Sequence, residues 1–161
     1  MVGMATFERE LRVRAPLADV WAFHSTTDGL RSLTPNWLNL RIERIERPTD
    51  EPEAHVLTAG TRIHASVRPF GVGPRQTWVS HITEREESEE KAYFVDVMEG
   101  GPFSEWEHTH LFYADGDETL IRDHVEYRGP VGGVGDGLAE LGLAPMFWYR
   151  HRRTSAILDG P

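Results

Sequence analysis

The chain has 161 residues with 26 acidic against 17 basic side chains, a net charge of −9, and no cysteine. That balance argues against binding to a phosphate backbone, and the missing thiols exclude disulfides, thiolate metal sites and cysteine nucleophiles. No apolar run approaches the roughly 20 residues that a membrane-spanning helix needs, and Glu8, Arg9 and Glu10 interrupt the N-terminus where a secretory leader would carry its apolar core.

One soluble, cytoplasmic domain over residues 1–161 is therefore expected. Thr6 to Val13 alternates apolar and charged residues, the period of a half-exposed strand. Pro16 opens a short helix with Leu17, Val20, Trp21 and Phe23 at helical spacing, and a second runs from Asp28 to Leu33, stopped at Thr34-Pro35. Trp37 to Arg47 alternates again, with Leu38, Leu40, Ile42 and Ile45 as candidate core. Pro48 to Ala59 is polar and unpatterned and reads as a mobile loop. Strands follow at Thr61 to Arg68, Arg75 to Glu84, Ala92 to Met98, Phe103 to Tyr113 and Glu118 to Arg128. They are punctuated by Phe70 to Pro74, a charged tip at Glu84 to Lys91, Gly100-Gly101-Pro102 and a turn at Asp115-Gly116-Asp117. After a glycine-rich stretch from Pro130, residues Gly137 to Leu158 read as one long amphipathic helix, with Leu138, Leu141, Met146, Phe147, Tyr149 and Ile157 on its apolar positions.

The order predicts an α+β helix-grip fold. A strongly curved antiparallel sheet of about six to seven strands wraps a long C-terminal helix, with a hollow between them.

The informative residues lie on two consecutive strands. With period 2, one face of the first carries Trp106, His108, His110 and Phe112, and one face of the second carries Ile121, Asp123, Val125 and Tyr127. Aromatic and aliphatic neighbours mark these faces as inward, so two imidazoles and a carboxylate share an apolar interior. Buried ionisable groups must be paired or face a wet cavity. His108 and His110 stand about 7 Å apart along the strand. Three roles fit such a pair: a structural or pocket-lining cluster, an acid/base pair oriented by Asp123, or two ligands of a metal completed by Asp96 or Asp123. The first is preferred, and without a third histidine on these inward faces or any cysteine the metal is the weakest. Asp96, on a face with Phe94 and Met98, either joins this cluster or faces solvent at the pocket mouth. Gly129 to Gly135 lacks the Lys-Ser/Thr of a phosphate loop, and no Gly-x-Ser-x-Gly elbow occurs.

Several motifs together resemble the START-like helix-grip superfamily (SRPBCC), in its cyclase/dehydrase-like branch. They are Pro16 to Phe23, Leu30 to Pro35 with Trp37-Leu38, Gly60 to Ile63, Phe94 to Asp96, Gly101 to Phe103 leading to Trp106, His108 and His110, Asp123 with Tyr127, the loop from Pro130 to Gly135, and Phe147 to Arg150. The resemblance implies binding of an apolar or amphipathic small molecule between sheet and helix. On that reading Trp78, Phe94, Asp96, Met98, Trp106, His108, His110, Asp123, Tyr127 and Phe147 contact a lipid, isoprenoid, quinone or polyketide-like ligand. No metal and no cofactor are assigned, and a homodimer is left open. Two alternatives stand beside it. One is a cyclase or dehydratase in which His108 or His110, with Asp123, moves a proton. The other is a protein-interaction module with a filled core.

Overall fold

The computed structural model describes residues 4–48, 56–101, 103–129 and 133–159, with the side chains of 133–141 outside that description. Its sheet is antiparallel throughout. It comprises β1 (Ala5–Val13), β2 (Arg41–Glu46), β3 (Arg62–Val67), β4 (Gln76–Glu87), β5 (Lys91–Glu99), β6 (Glu105–Asp115) and β7 (Glu118–Arg128), in the spatial order β1-β7-β6-β5-β4-β3-β2. Two short helices, α1 (Leu17–His24) and α2 (Thr27–Ser32), carry the chain from one edge of the sheet toward the other. A long helix, α3 (Gly133–Leu158), follows β7.

Local chemistry accounts for these boundaries. Pro16 caps α1 with a fixed φ of −69°, and the Thr26 hydroxyl accepts from the Gly29 amide to start α2. A Cβ at Gly29 would collide with the Phe23 carbonyl, so the two short helices can fold back on each other only with glycine there. Gly116, at φ +61°, closes the tight turn between β6 and β7. Register shifts between Ile42 and Arg44, and between Ile82 and Glu84, bend the sheet where β2 meets β3 and β4 meets β5.

The expected strand at Trp37 begins later, at Arg41, because Asn36–Leu38 forms a single 3-10 turn that tucks Leu38 inward. Ile42 and Ile45 are only half-buried on the edge strand that follows. The glycine-rich stretch is partly helical: α3 starts at Gly133, four residues before the expected Gly137, and 130–132 lie outside the described residues. Of the expected loop, 49–55 lie outside the described residues, while Leu57 at its far end is buried.

The buried face of α3 also differs from the expected one. Leu143, Phe147, His151 and Thr154 are buried, at spacings of four, four and three residues, while Met146 and Ile157 are exposed. Leu138 and Leu141 fall among the side chains outside the description.

Three apolar clusters make the core. The first joins Val13, Val20, Trp21, Phe94, Phe112 and Ile121 beneath α1. The second joins Leu57, Ile63, Ala65 and Ile82 on the β3–β4 side. The third joins Val125, Tyr127, Leu143 and Phe147 beneath α3. Because α3 packs on β1 and β7, the face of β3, β4 and β5 is not filled by the helix. The hollow is a result of that off-centre seat.

Phe112 is fully buried, edge-on to Trp21 at 5.4 Å. Phe112→Ala is expected to cost about 3–5 kcal/mol in urea denaturation. Val72→Ala, at a side chain 74% exposed, is expected to change stability by less than about 0.5 kcal/mol.

Candidate functional site

Strand register brings the ionisable residues together. Asp96 on β5 lies opposite His108 on β6, and His110 lies opposite Asp123 on β7. All four point to the concave face, as the alternation of buried positions along β6 and β7 requires. The hydrogen bonds run diagonally rather than straight across. His108 Nε2 donates to Asp123 Oδ1 at 2.7 Å, and His110 Nε2 donates to Asp96 Oδ2 at 2.7 Å. The crossing draws the two imidazoles into a stack, with centroids 3.5 Å apart and planes at 25°. Phe94 stacks on the outer side of His110 at 3.9 Å, and Phe147 meets His108 edge-on at 5.2 Å.

Helix α3 adds a fifth member. His151 Nε2 donates to Asp123 Oδ2 at 2.5 Å, so each oxygen of Asp123 receives one imidazole. A carboxylate only accepts, which assigns the proton on each of these three rings to Nε2. Among the described residues, His151 Nδ1 finds no hydrogen-bond partner although it is buried. Burial alone would raise the Asp123 carboxyl, but the hydrogen bonds from His108 and His151 outweigh it and hold it well below the usual carboxylate range. For Asp96 burial is likewise opposed, here by the His110 hydrogen bond and nearby charge, and the net shift is downward. Burial, reinforced by the charge of His108, lowers His110 despite its bond to Asp96.

Next to this network lies a cavity of about 300 Å³. Leu38, Leu40, Val67, Trp78, Met98, Phe103, Trp106, Leu143 and Met146 form its apolar wall, and Asp96 and His108 form its inner polar wall, with Thr34 and Gln76 as the other polar lining residues. A second space of about 50 Å³, room for a water or two, sits on the far side of Asp96 between His24, Leu33, Ile82, Phe94 and Arg150. His24 Nδ1 donates to the Val20 carbonyl at 2.8 Å, which places its proton on Nδ1 because a carbonyl only accepts. Burial lowers its pKa to about 4.

The structure sorts the ten expected ligand contacts into two groups. Trp78, Asp96, Met98, Trp106 and His108 line the larger cavity. Phe94, His110, Asp123, Tyr127 and Phe147 do not; they stand behind that wall, in the polar network or in core packing around it. Asp96 faces inward rather than to solvent. His151 is the participant that sequence reasoning missed. The available signal was its position four residues after Phe147 and eight after Leu143, on one face of the helix.

Asp96, His108 and His110 place one possible ligand atom each within 4.8 Å of one another, the spacing of a metal site. Two stacked rings, however, direct their in-plane lone pairs along nearly parallel planes, which do not converge on one ion. The arrangement is better suited to orienting hydrogen bonds than to tetrahedral coordination.

Comparison with known proteins places this geometry. Residues 13–145 match the family model described as polyketide cyclase / dehydrase and lipid transport. No curated protein matches the sequence. Among solved structures, the chain is similar to the aromatase/cyclase ZhuI from Streptomyces sp. R1128, with 14% identity, TM-score 0.62 and coverage of 95% of this chain and 92% of that one. It is similar to norcoclaurine synthase from Thalictrum flavum, with 18% identity, TM-score 0.62 and coverage of 96% and 86%. A START superfamily protein from Mycobacterium smegmatis aligns with 14% identity, TM-score 0.60 and coverage of 96% and 99%. At these identities the likeness establishes the helix-grip fold.

Two measurements probe the network. Asp123→Ala strands the Nε2 protons of His108 and His151, and a loss of about 1–3 kcal/mol for each orphaned imidazole is expected in chemical denaturation at pH 7. The second is pH dependence. A histidine held below its unfolded value of 6.5 binds fewer protons folded than unfolded, so its stability contribution is complete above pH 6.5 and is lost as pH falls toward 4. His110 acts in the same direction. Replacing His24 by Phe keeps the ring packing on Phe112 and should remove roughly 2 kcal/mol of the stability loss between pH 7 and pH 4, allowing for the ring's partial exposure.

Proposed function

Because the chain belongs to the polyketide cyclase / dehydrase and lipid transport family, we propose that it binds an apolar small molecule non-covalently in the cavity between the sheet and α3. The observation that carries this reading is the cavity itself: about 300 Å³, walled by aliphatic and aromatic side chains, with Asp96 and His108 converging on one end. Affinity would come from apolar burial, at roughly 25 cal/mol per Å² before the ordering of ligand and side chains is subtracted. The polar end would fix orientation. An interaction module with a filled core fits this hollow poorly.

A second reading, proton transfer during cyclisation or dehydration, is favoured by one specific feature. His108 reaches the cavity while its Nε2 is held by a buried carboxylate, the arrangement that sets the tautomer and orientation of a catalytic imidazole. No member of the network is committed to a reacting atom, so binding remains the primary proposal.

The neutral dye Nile red should bind with a blue-shifted emission. Val67→Trp, which grows a side chain into the cavity from the half-buried end of β3, is expected to weaken that binding at least tenfold while the melting temperature is retained. Equal dye binding by the folded variant would overturn the cavity assignment. For the second reading, the compound that co-purifies is incubated with wild type and His108→Ala. Conversion by wild type alone, with retention by both, would establish catalysis.

A further inference from the structure

The cavity also constrains its ligand's polarity. Asp96 presents a carboxylate whose side chain is 16% exposed, and its contacts with His110 at 2.7 Å and His108 at 3.9 Å both fall on Oδ2. Among the described residues Oδ1 makes no hydrogen bond. His108 gives its Nε2 proton to Asp123, and its Nδ1 lies 3.9 Å from Asp96 Oδ2. Thr34 spends its hydroxyl proton on the Leu30 carbonyl. The inner end of the cavity thus presents a carboxylate oxygen that only accepts. Among the described lining residues, side-chain donors besides His108 and Thr34 are the indoles of Trp78 and Trp106 and the amide of the exposed Gln76. None of those described residues is a lysine or arginine; Arg150 borders the smaller chamber instead.

We infer that the ligand is a compact ring compound bearing a hydrogen-bond donor, a hydroxyl or an ammonium group, which it gives to Asp96 Oδ1. This rests on the binding proposal and narrows it. A ligand carboxylate would meet an ionised carboxylate with no lysine or arginine among the described lining residues to offset it, so fatty acids and aromatic acids are rejected. A quinone, which only accepts, leaves Asp96 Oδ1 without a partner and loses affinity for the same reason that any site built around a hydrogen bond rejects the analogue lacking it. Size points to about two fused rings: the cavity has about twice the ~150 Å³ that accommodates one benzene ring.

The test uses three matched naphthalenes, 2-(hydroxymethyl)naphthalene, 2-(aminomethyl)naphthalene and 2-naphthoic acid, titrated into the wild-type protein at pH 7 by calorimetry. The alcohol and the amine are expected to bind at least about tenfold more tightly than the acid. In Asp96→Asn, which can still accept from His110, the gap between amine and acid should shrink by a similar factor. Binding of the acid as tight as that of the alcohol, or a wild-type ranking unchanged in the folded variant, would overturn the inference while leaving the cavity a binding site. If none of the three binds and Nile red also fails, the binding proposal falls and the inference with it. The wild-type ranking is decisive even if Asp96→Asn does not fold.

Discussion

The crossed pairing of two histidines with two aspartates on three adjacent strands is the constraint around which this molecule is arranged. Direct cross-strand partners here are Asp96 with His108 and His110 with Asp123, yet each imidazole bonds to the other's carboxylate. A slip of one residue in either strand pair would turn these groups to the solvent face and put Thr109 or His124 inside, leaving an unpaired charge in the apolar interior. The network therefore acts as a register lock on β5, β6 and β7. His151 extends it to α3, fixing the rotation of the helix about its axis at the same carboxylate that holds His108.

That lock and the off-centre packing of the helix explain why a hollow persists. Phe147 touches Phe7 at 5.2 Å and His108 at 5.2 Å, so the helix is seated over β1, β6 and β7. The second apolar cluster, on β3 and β4, is left to cover itself with Leu30, Leu40, Ile42 and Trp78. Between the two remains a gap bordered by Asp96 and His108. The bulges at Ile42/Arg44 and Ile82/Glu84 bend the strands of this half of the sheet.

Much of this was legible in the sequence because strands have period 2. The alternation of Trp106, His108, His110 and Phe112 against Ile121, Asp123, Val125 and Tyr127 placed the right side chains on the right face, and the order of elements together with family resemblance set the fold. What period cannot supply is the direction of a side chain once it is inside. Asp96 read equally as inward or outward, since Phe94 and Met98 on its face are compatible with either a pocket or its mouth. The choice of diagonal over direct hydrogen bonds depends on χ angles and on the His108–His110 stack. The helix was read less well. Its face was sought in apolar residues, and Met146 and Ile157 are apolar but exposed, whereas His151 and Thr154 are polar but buried. His151 is held inward by Asp123, a residue 28 positions away in sequence, and Thr154 returns its hydroxyl to the Arg150 carbonyl of its own helix.

The energetics of the network bear on what it is for. Buried ionic clusters are weak contributors to stability, and well-packed apolar residues of similar volume often serve as well or better. Three imidazoles and two carboxylates at the centre of this sheet are therefore a costly way to hold three strands and a helix together. Asp123 is enclosed by its two histidines and offers nothing to a ligand. Asp96 and His108 differ, because each is held from behind and open in front: Asp96 by His110, His108 by Asp123. Support from behind fixes the geometry of a polar group without using up its outward-facing atoms, which is how a binding or catalytic site is kept pre-organised. The polarity of the core is accounted for as the inner layer of the cavity wall, with Asp123 and His151 as the supports that keep that wall's acceptors in place.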